Sequence, residues 1–312
     1  MWYFACKAVN TNSSSILKPK HLLLALVTVI AWGVNFIAIH IGLEKLPPIL
    51  LCTARFALTA LPWVFFLPRP KAPFKLIVGY GIFTFAIQFG LLFGGMYLGL
   101  PAGLSSLVIQ VQVFFSMGLA AFIFGDAPSI WKVFGALISF IGIGIVASHV
   151  DGNATFIGLA LTLLSALSWA TGNIFSKKIA AESPVALVAW GSLVATPVMM
   201  TVSYVFEGPE LIMHSIRGLS TETVIAVLYI VYLSSFVGYG IWGFLLNTYP
   251  TAVVTPFTLL VPVVGLLSAA FFLGEELSSW KLVACVFIMA GLVFNLLEKQ
   301  IRALLPRRTS VG

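Results

Sequence analysis

The chain has 312 residues, 60% of them hydrophobic and only 9% charged, with a mean hydropathy of +1.07, whereas a soluble domain carries roughly 25% charged residues. Apolar runs of about twenty residues follow one another almost without interruption, which excludes an aqueous globular fold and makes lipid the solvent. The net charge of +7 lies in short connectors and forms no basic face, so it does not point to nucleic acid.

Residues 1–21 read as a cytoplasmic tail without the basic-then-apolar order and small-residue cleavage site of a signal peptide, so the first span is expected to be kept. Spans are expected at 22–43, 48–67, 76–98, 102–124, 131–148, 155–176, 184–206, 223–246, 251–273 and 280–297, followed by a basic tail at 298–312. Pro47, Pro48, Pro101, Pro184 and Pro250 mark several starts, where a missing N–H costs nothing. Cys6, Cys52 and Cys285 have neither metal-ligand nor disulfide-framework spacing.

In the first span Trp32 and Asn35 share a helix face, and the amide serves either a helix–helix hydrogen bond or a substrate. The second holds Arg55, the single full charge well inside a span, which either attracts a carboxylate or caps carbonyls and snorkels. Tyr80, Thr84 and Gln88 form a polar stripe in the third span. In the fourth, Gln110 and Gln112 are two apart and point to different sides, so one stripe (Ser105, Gln112, Ser116) or the other (Gly103, Ser106, Gln110) faces the cavity. Gly90, Gly94, Gly95 and Gly99, with Gly135, Ser139 and Gly142 in the fifth, read as close helix packing.

The sixth span repeats the pattern of the first with Ser165, Trp169, Gly172 and Asn173. The eighth places Tyr232, Ser235, Tyr239 and Trp242 at three- and four-residue steps, matching the third. The ninth carries Thr251, Thr255, Thr258 and Pro262 on one face, and Pro256 and Pro262 free backbone carbonyls. The connector from Glu207 to Glu222 is too short for a domain.

With the N-terminus inside, cytoplasmic segments hold thirteen Lys and Arg and outer segments only Lys45, Arg217 and Lys281, so both termini are expected in the cytoplasm. AAFIFGDAPSIWK (120–132) and AAFFLGEELSSWK (269–281) agree at seven of thirteen positions. Trp32 pairs with Trp169, Asn35 with Asn173, Pro48 with Pro184 and Pro101 with Pro250. Residues 22–148 and 155–297 are therefore two halves of five spans each. An odd number of crossings inverts the second half, which is the architecture of alternating access.

AWGVNF (31–36), LPAGLSSLVIQVQVFF (100–115), SWATGNIFSKKI (168–179), VGYGIWG (237–243) and LVPVVGLLSAA (260–270) resemble the EamA family of the drug/metabolite transporter superfamily. Within it they are most similar to the branch that exports O-acetylserine and cysteine. The resemblance implies an all-α, inner-membrane protein with a cavity formed by the first, third, fourth, sixth, eighth and ninth spans. Together with the polar stripes it nominates Trp32, Asn35, Gln88, Gln110, Gln112, Trp169, Asn173, Tyr239, Trp242 and Thr255 as substrate contacts, with Arg55 a candidate for carboxylate attraction. No cofactor or metal is expected. The implied partners are a small-molecule metabolite and the lipid bilayer; a homodimer stays open.

Cysteine-type amino-acid metabolites are the leading substrate class, and drugs, nucleobases, polyamines and sugars are the alternatives within the superfamily. Enzyme chemistry would require a Ser–His pair, paired aspartates or HExxH at membrane depth, and His21, His40, His149 and His214 lie at or beyond span ends.

Overall fold

A computed structural model of the chain describes residues 17–125, 128–149, 155–296 and 298. Most of the two expected tails, together with Asp126 and Asp151, lies outside the described residues. Among the described residues, ten helices long and apolar enough to cross a bilayer run over Pro19–Leu43, Pro48–Phe65, Phe74–Tyr97, Ala102–Phe124, Ile130–Ala147, Phe156–Ile179, Pro184–Phe206, Thr221–Thr248, Thr255–Leu273 and Ser279–Leu296. Helices satisfy every main-chain group within the segment, which is why apolar runs of this length take no other form in lipid.

The ten pack as an exchange between the halves. The first span lies against the eighth and ninth, the sixth against the third and fourth, the second against the seventh, and the fifth against the tenth. The first and sixth thus sit at the centre, while the second, seventh, fifth and tenth close the flanks.

Two expected spans are interrupted. In the second, regular helix stops at Ala60, Leu61 is extended and a 3₁₀ turn covers Trp63–Phe65, because Pro62 disfavours helical backbone at the residue before it. In the ninth, a short helix Thr251–Val254 leads into a 3₁₀ turn at Thr255–Leu259 and then the helix Leu260–Leu273, with Pro256 in the tight turn. The connector after the seventh span turns at Gly208, whose φ is +79°, into a nine-residue amphipathic helix, Pro209–Arg217.

The irregularities recur in register. The third span opens into a π-helical stretch at Ile82–Ile87 and the eighth into one at Tyr229–Gly238. The fourth tightens into 3₁₀ at Ile109–Val111, matching the 3₁₀ turn of the ninth. Such departures inside helices mark functional segments and bends, and here all four fall in the spans packed against the first and sixth.

Helix starts divide into two kinds. Ser129, Thr155, Ser183 and Ser220 cap the fifth, sixth, seventh and eighth spans with their own hydroxyls. The second and fourth begin after Pro47 and Pro101, which supply no cap. Their first N–H groups are served from the opposite half. Glu207, at the end of the seventh span, accepts from Ile49 N–H at 2.7 Å and Leu50 N–H at 2.9 Å, and is held by the Ser203 hydroxyl at 2.6 Å. Glu275, after the ninth, accepts from Ala102 N–H at 2.7 Å and Gly103 N–H at 3.3 Å. Both clasps lie at the expected outer end, where an anion also suits the positive end of the helix dipole.

Close packing of the fifth and tenth spans matches the small-residue reading. A Cβ on Gly142 would meet Ala284 O at 2.8 Å and Ile288 Cγ1 at 2.7 Å, and Ser139 Oγ donates to Ile288 O at 2.9 Å. Gly95 likewise approaches Gly158 O, whereas Gly99, at φ +102°, serves a turn. Gly142→Val is expected to lower the thermal stability of the detergent-solubilised protein by about 1–3 kcal/mol. Gly144→Val, whose Cβ meets nothing within 4 Å, is expected to leave it unchanged.

Candidate functional site

The residues singled out in the sequence gather into two clusters and one isolated charge. The first cluster joins the first and eighth spans. Trp32 sits with its ring centroid 5.4 Å from both Tyr239 and Trp242, and its Nε1–H donates to Ser234 O at 3.1 Å. That carbonyl belongs to the π-helical stretch, where widened turns leave main-chain acceptors for other partners. Asn35, one turn along from Trp32, is 7% exposed and its Oδ1 has no hydrogen-bond partner. A buried amide oxygen without a donor is costly, which fits an atom held for a ligand.

The second cluster joins the sixth span to the third and fourth. Asn173 Nδ2 donates to Gln112 Oε1 at 3.1 Å and to Ser116 Oγ at 3.2 Å, and Ser116 donates to Gln112 at 3.3 Å. Ser165 and Ser168 donate to Gln88 O and Phe83 O, each at 2.7 Å; Phe83 O again lies in a π-helical stretch. Gln88 is buried and Trp169 is half-buried against the main core. Thr84 Oγ1, beside Gly172, is buried without a partner.

The two clusters share one feature: the first and sixth spans correspond, and each donates to a π-helical carbonyl of the opposite half, Trp32 to Ser234 O and Ser168 to Phe83 O. Each side keeps one buried oxygen without a partner, Asn35 Oδ1 by the first span and Thr84 Oγ1 by the sixth.

The fourth span divides its stripes between neighbours. Gly103 and Ser106 face the ninth span, with Ser106 Oγ 3.5 Å from Pro262 O, and Gln112 with Ser116 faces the sixth. Gln110, within the 3₁₀ turn, is half-buried, and the structure brings it to neither cluster. Thr255 is half-buried at the head of the ninth span's 3₁₀ turn.

One expected stripe breaks. Tyr232 is 40% exposed while Ser235 is 3% exposed, so the two do not share an inward face. Each residue of a π-helical stretch turns through a smaller angle than in an α-helix, so spacing read at 3.6 residues per turn misplaces Tyr232. Tyr80, which the sequence places near a span end, is buried against Phe85 and Gly191. A surface cavity of about 350 Å³ lies at the expected outer end between Leu43–Pro47, Tyr97 and His214, away from both clusters.

Sequence reasoning missed the Glu207 and Glu275 clasps and the π-helical stretches. For the clasps a signal existed: spans starting after Pro47 and Pro101 have no Ser, Thr, Asp or Asn at the capping position, so their first donors must find acceptors elsewhere.

The chain matches the EamA-like transporter family at residues 19–148 and 156–297. It is 42% identical over 285 residues to a probable amino-acid metabolite efflux pump of Salmonella typhimurium, covering 89% of this chain and 95% of that protein. A protein of Escherichia coli with the same description is 40% identical over 278 residues, covering 87% and 93%. A solved crystal structure shares the fold at TM-score 0.61, with 19% identity over 94% of this chain and 99% of that one.

Proposed function

Because the chain belongs to the EamA-like transporter family, we propose that it exports a small amino-acid-like metabolite across the inner membrane by alternating access between its two halves. The observation that carries this reading is Asn35, a buried amide oxygen without a partner, set one turn from the Trp32–Tyr239–Trp242 cluster at the junction of the halves. An aromatic wall excludes water, and an unspent amide acceptor suits the ammonium of a zwitterion. The 40–42% identity to probable amino-acid metabolite efflux pumps supports the same substrate class.

The excess of basic residues in the segments of one face puts both termini in the cytoplasm. The Glu207 and Glu275 clasps then tie the two halves together at the outer end. Gln88, Trp169, Asn173, Gln112 and Thr255 complete the walls as the halves exchange positions, with Gln112, bonded to Asn173, as the glutamine of the fourth span that faces the cavity.

Export of O-acetylserine from proteoliposomes tests the reading. Asn35→Ala, Gln88→Ala and Tyr239→Ala are expected to slow release about tenfold each, the cost of one hydrogen bond to a charged group, with unchanged protein in the membrane. Full transport by all three variants would contradict the assigned site.

A further inference from the structure

Arg55 lies eight residues into the second span, about 10 Å from the helix start. An arginine at that depth has three ordinary ways to settle: pairing with an acid, bonding to helix carbonyls, or snorkelling to the interface. None of them is realised. Arg55 is 3% exposed, so it does not reach an interface. No carboxylate stands within 4 Å of it among the described residues. Its one hydrogen bond, from Nη2, goes to Ser235 Oγ at 3.4 Å, while Nε and Nη1 are buried without partners.

What surrounds the guanidinium is apolar or neutral. Its carbon lies 4.0 Å from the Phe89 ring centroid and 5.5 Å from that of Phe56. Tyr239 and Cys52 are the groups within electrostatic reach, and neither is a carboxylate. Two aromatic faces hold a cation in place but do not use its in-plane N–H donors. Ser235, which donates to Ile230 O at 3.0 Å, is itself fixed by the π-helical stretch of the eighth span. The charge is thus positioned and shielded, with its donors unspent.

We propose that Arg55 is the anchor for the substrate's carboxylate, reached when the π-helical stretch of the eighth span moves off it as the halves exchange. A guanidinium and a carboxylate meet through paired N–H···O bonds, and the two unpartnered nitrogens supply donors for that pairing. Ser234 and Ser235, adjacent in the eighth span, bond Trp32 and Arg55 respectively, so the anchor adjoins the Trp32 cluster, and a zwitterion bound by its carboxylate at Arg55 presents its ammonium toward that cluster. The ligand class is a small neutral amino acid or its ester derivative with a free carboxylate. This assignment rests on the export reading above.

The test measures binding to the full-length protein in lipid nanodiscs by thermal shift, with O-acetyl-L-serine, its carboxyl methyl ester and sodium chloride as probes. The wild type is expected to bind the acid about tenfold or more tightly than the ester. Arg55→Met is expected to bring the two within about twofold, and Arg55→Lys to keep part of the preference, because it retains the charge and loses the fork. Without ligand, Arg55→Met is expected to be at least as stable as wild type, since it removes a buried, unpaired charge.

A structural arginine would instead lower stability in Arg55→Met and weaken acid and ester alike, and that result would overturn the proposal. So would a wild type that does not prefer the acid. A shift produced by chloride and not by the acid would assign the site to a free halide and equally overturn it. Proteoliposome export separates the two readings: export with no Arg55-dependent preference removes the anchor alone, and the preference without export removes the export function alone.

Discussion

Glu207→Ala is expected to destabilise the protein by about 2–5 kcal/mol, the cost of leaving two partly buried N–H donors and one hydroxyl without their acceptor. Ile49 and Leu50 begin a span that has no cap of its own, and Ser203 holds the carboxylate in place from the preceding turn of the seventh span. Glu207→Gln keeps one acceptor oxygen and is expected to cost less than half as much. Glu210→Ala, at an exposed position three residues on, is expected to be neutral within about 0.5 kcal/mol. Thermal unfolding of the purified variants checks the order. Equal stability of Glu207→Ala and Glu210→Ala would show that the clasp contributes nothing.

The second large effect is expected at Gly238, where the π-helical stretch of the eighth span meets the first span. A Cβ there would overlap Trp32 Nε1 and stand 3.2 Å from its Cδ1. Gly238→Ala therefore drives the indole away from Ser234 O and out of the Tyr239–Trp242 cluster. Export is expected to fall about tenfold or more, with the protein still folded, because the displaced ring lines the site and does not carry the core. Gly240→Ala lies two residues away in the same glycine-rich string, and its Cβ meets nothing within 4 Å. It is expected to transport like wild type, and an equal loss in both variants would detach the effect from Trp32.

Much of this architecture is legible in the amino acids. Hydropathy alone marks ten spans, because a bilayer demands apolar runs of one length. The AAFIFGDAPSIWK and AAFFLGEELSSWK strings, with Trp32 and Trp169, reveal the duplication, and parity does the rest. The pairing of Gln112 with Asn173 answers to the rule that polar groups in lipid seek one another.

What sequence periodicity does not reveal is the inserted turn. Tyr232 and Ser235 obey α-helical spacing on paper, yet the π-helical stretch Tyr229–Gly238 turns Tyr232 outward. Whether a helix widens depends on carbonyls finding partners such as Trp32 in another span, which is tertiary information. Arg55 is the opposite case: its presence is plain in the sequence, but only the structure shows that Nε and Nη1 are left unpartnered. Glu207 and Glu275 look like ordinary connector charges until their contacts reach across to the other half.

Alternation of two opposed halves around one central site is tested most directly by two-sided accessibility of a cysteine at position 35. In a background lacking Cys6, Cys52 and Cys285, Asn35→Cys in oriented vesicles would be treated with a membrane-impermeant thiol reagent from either face. Labelling is expected from both faces in the unlocked protein. It is expected only from the face opposite the Glu275 clasp when a disulfide engineered across the Gly103–Glu275 contact holds that end shut, and export by the same locked protein with Asn35 intact is expected to cease. Labelling from both faces in the locked protein, or export that continues there, would contradict alternating access.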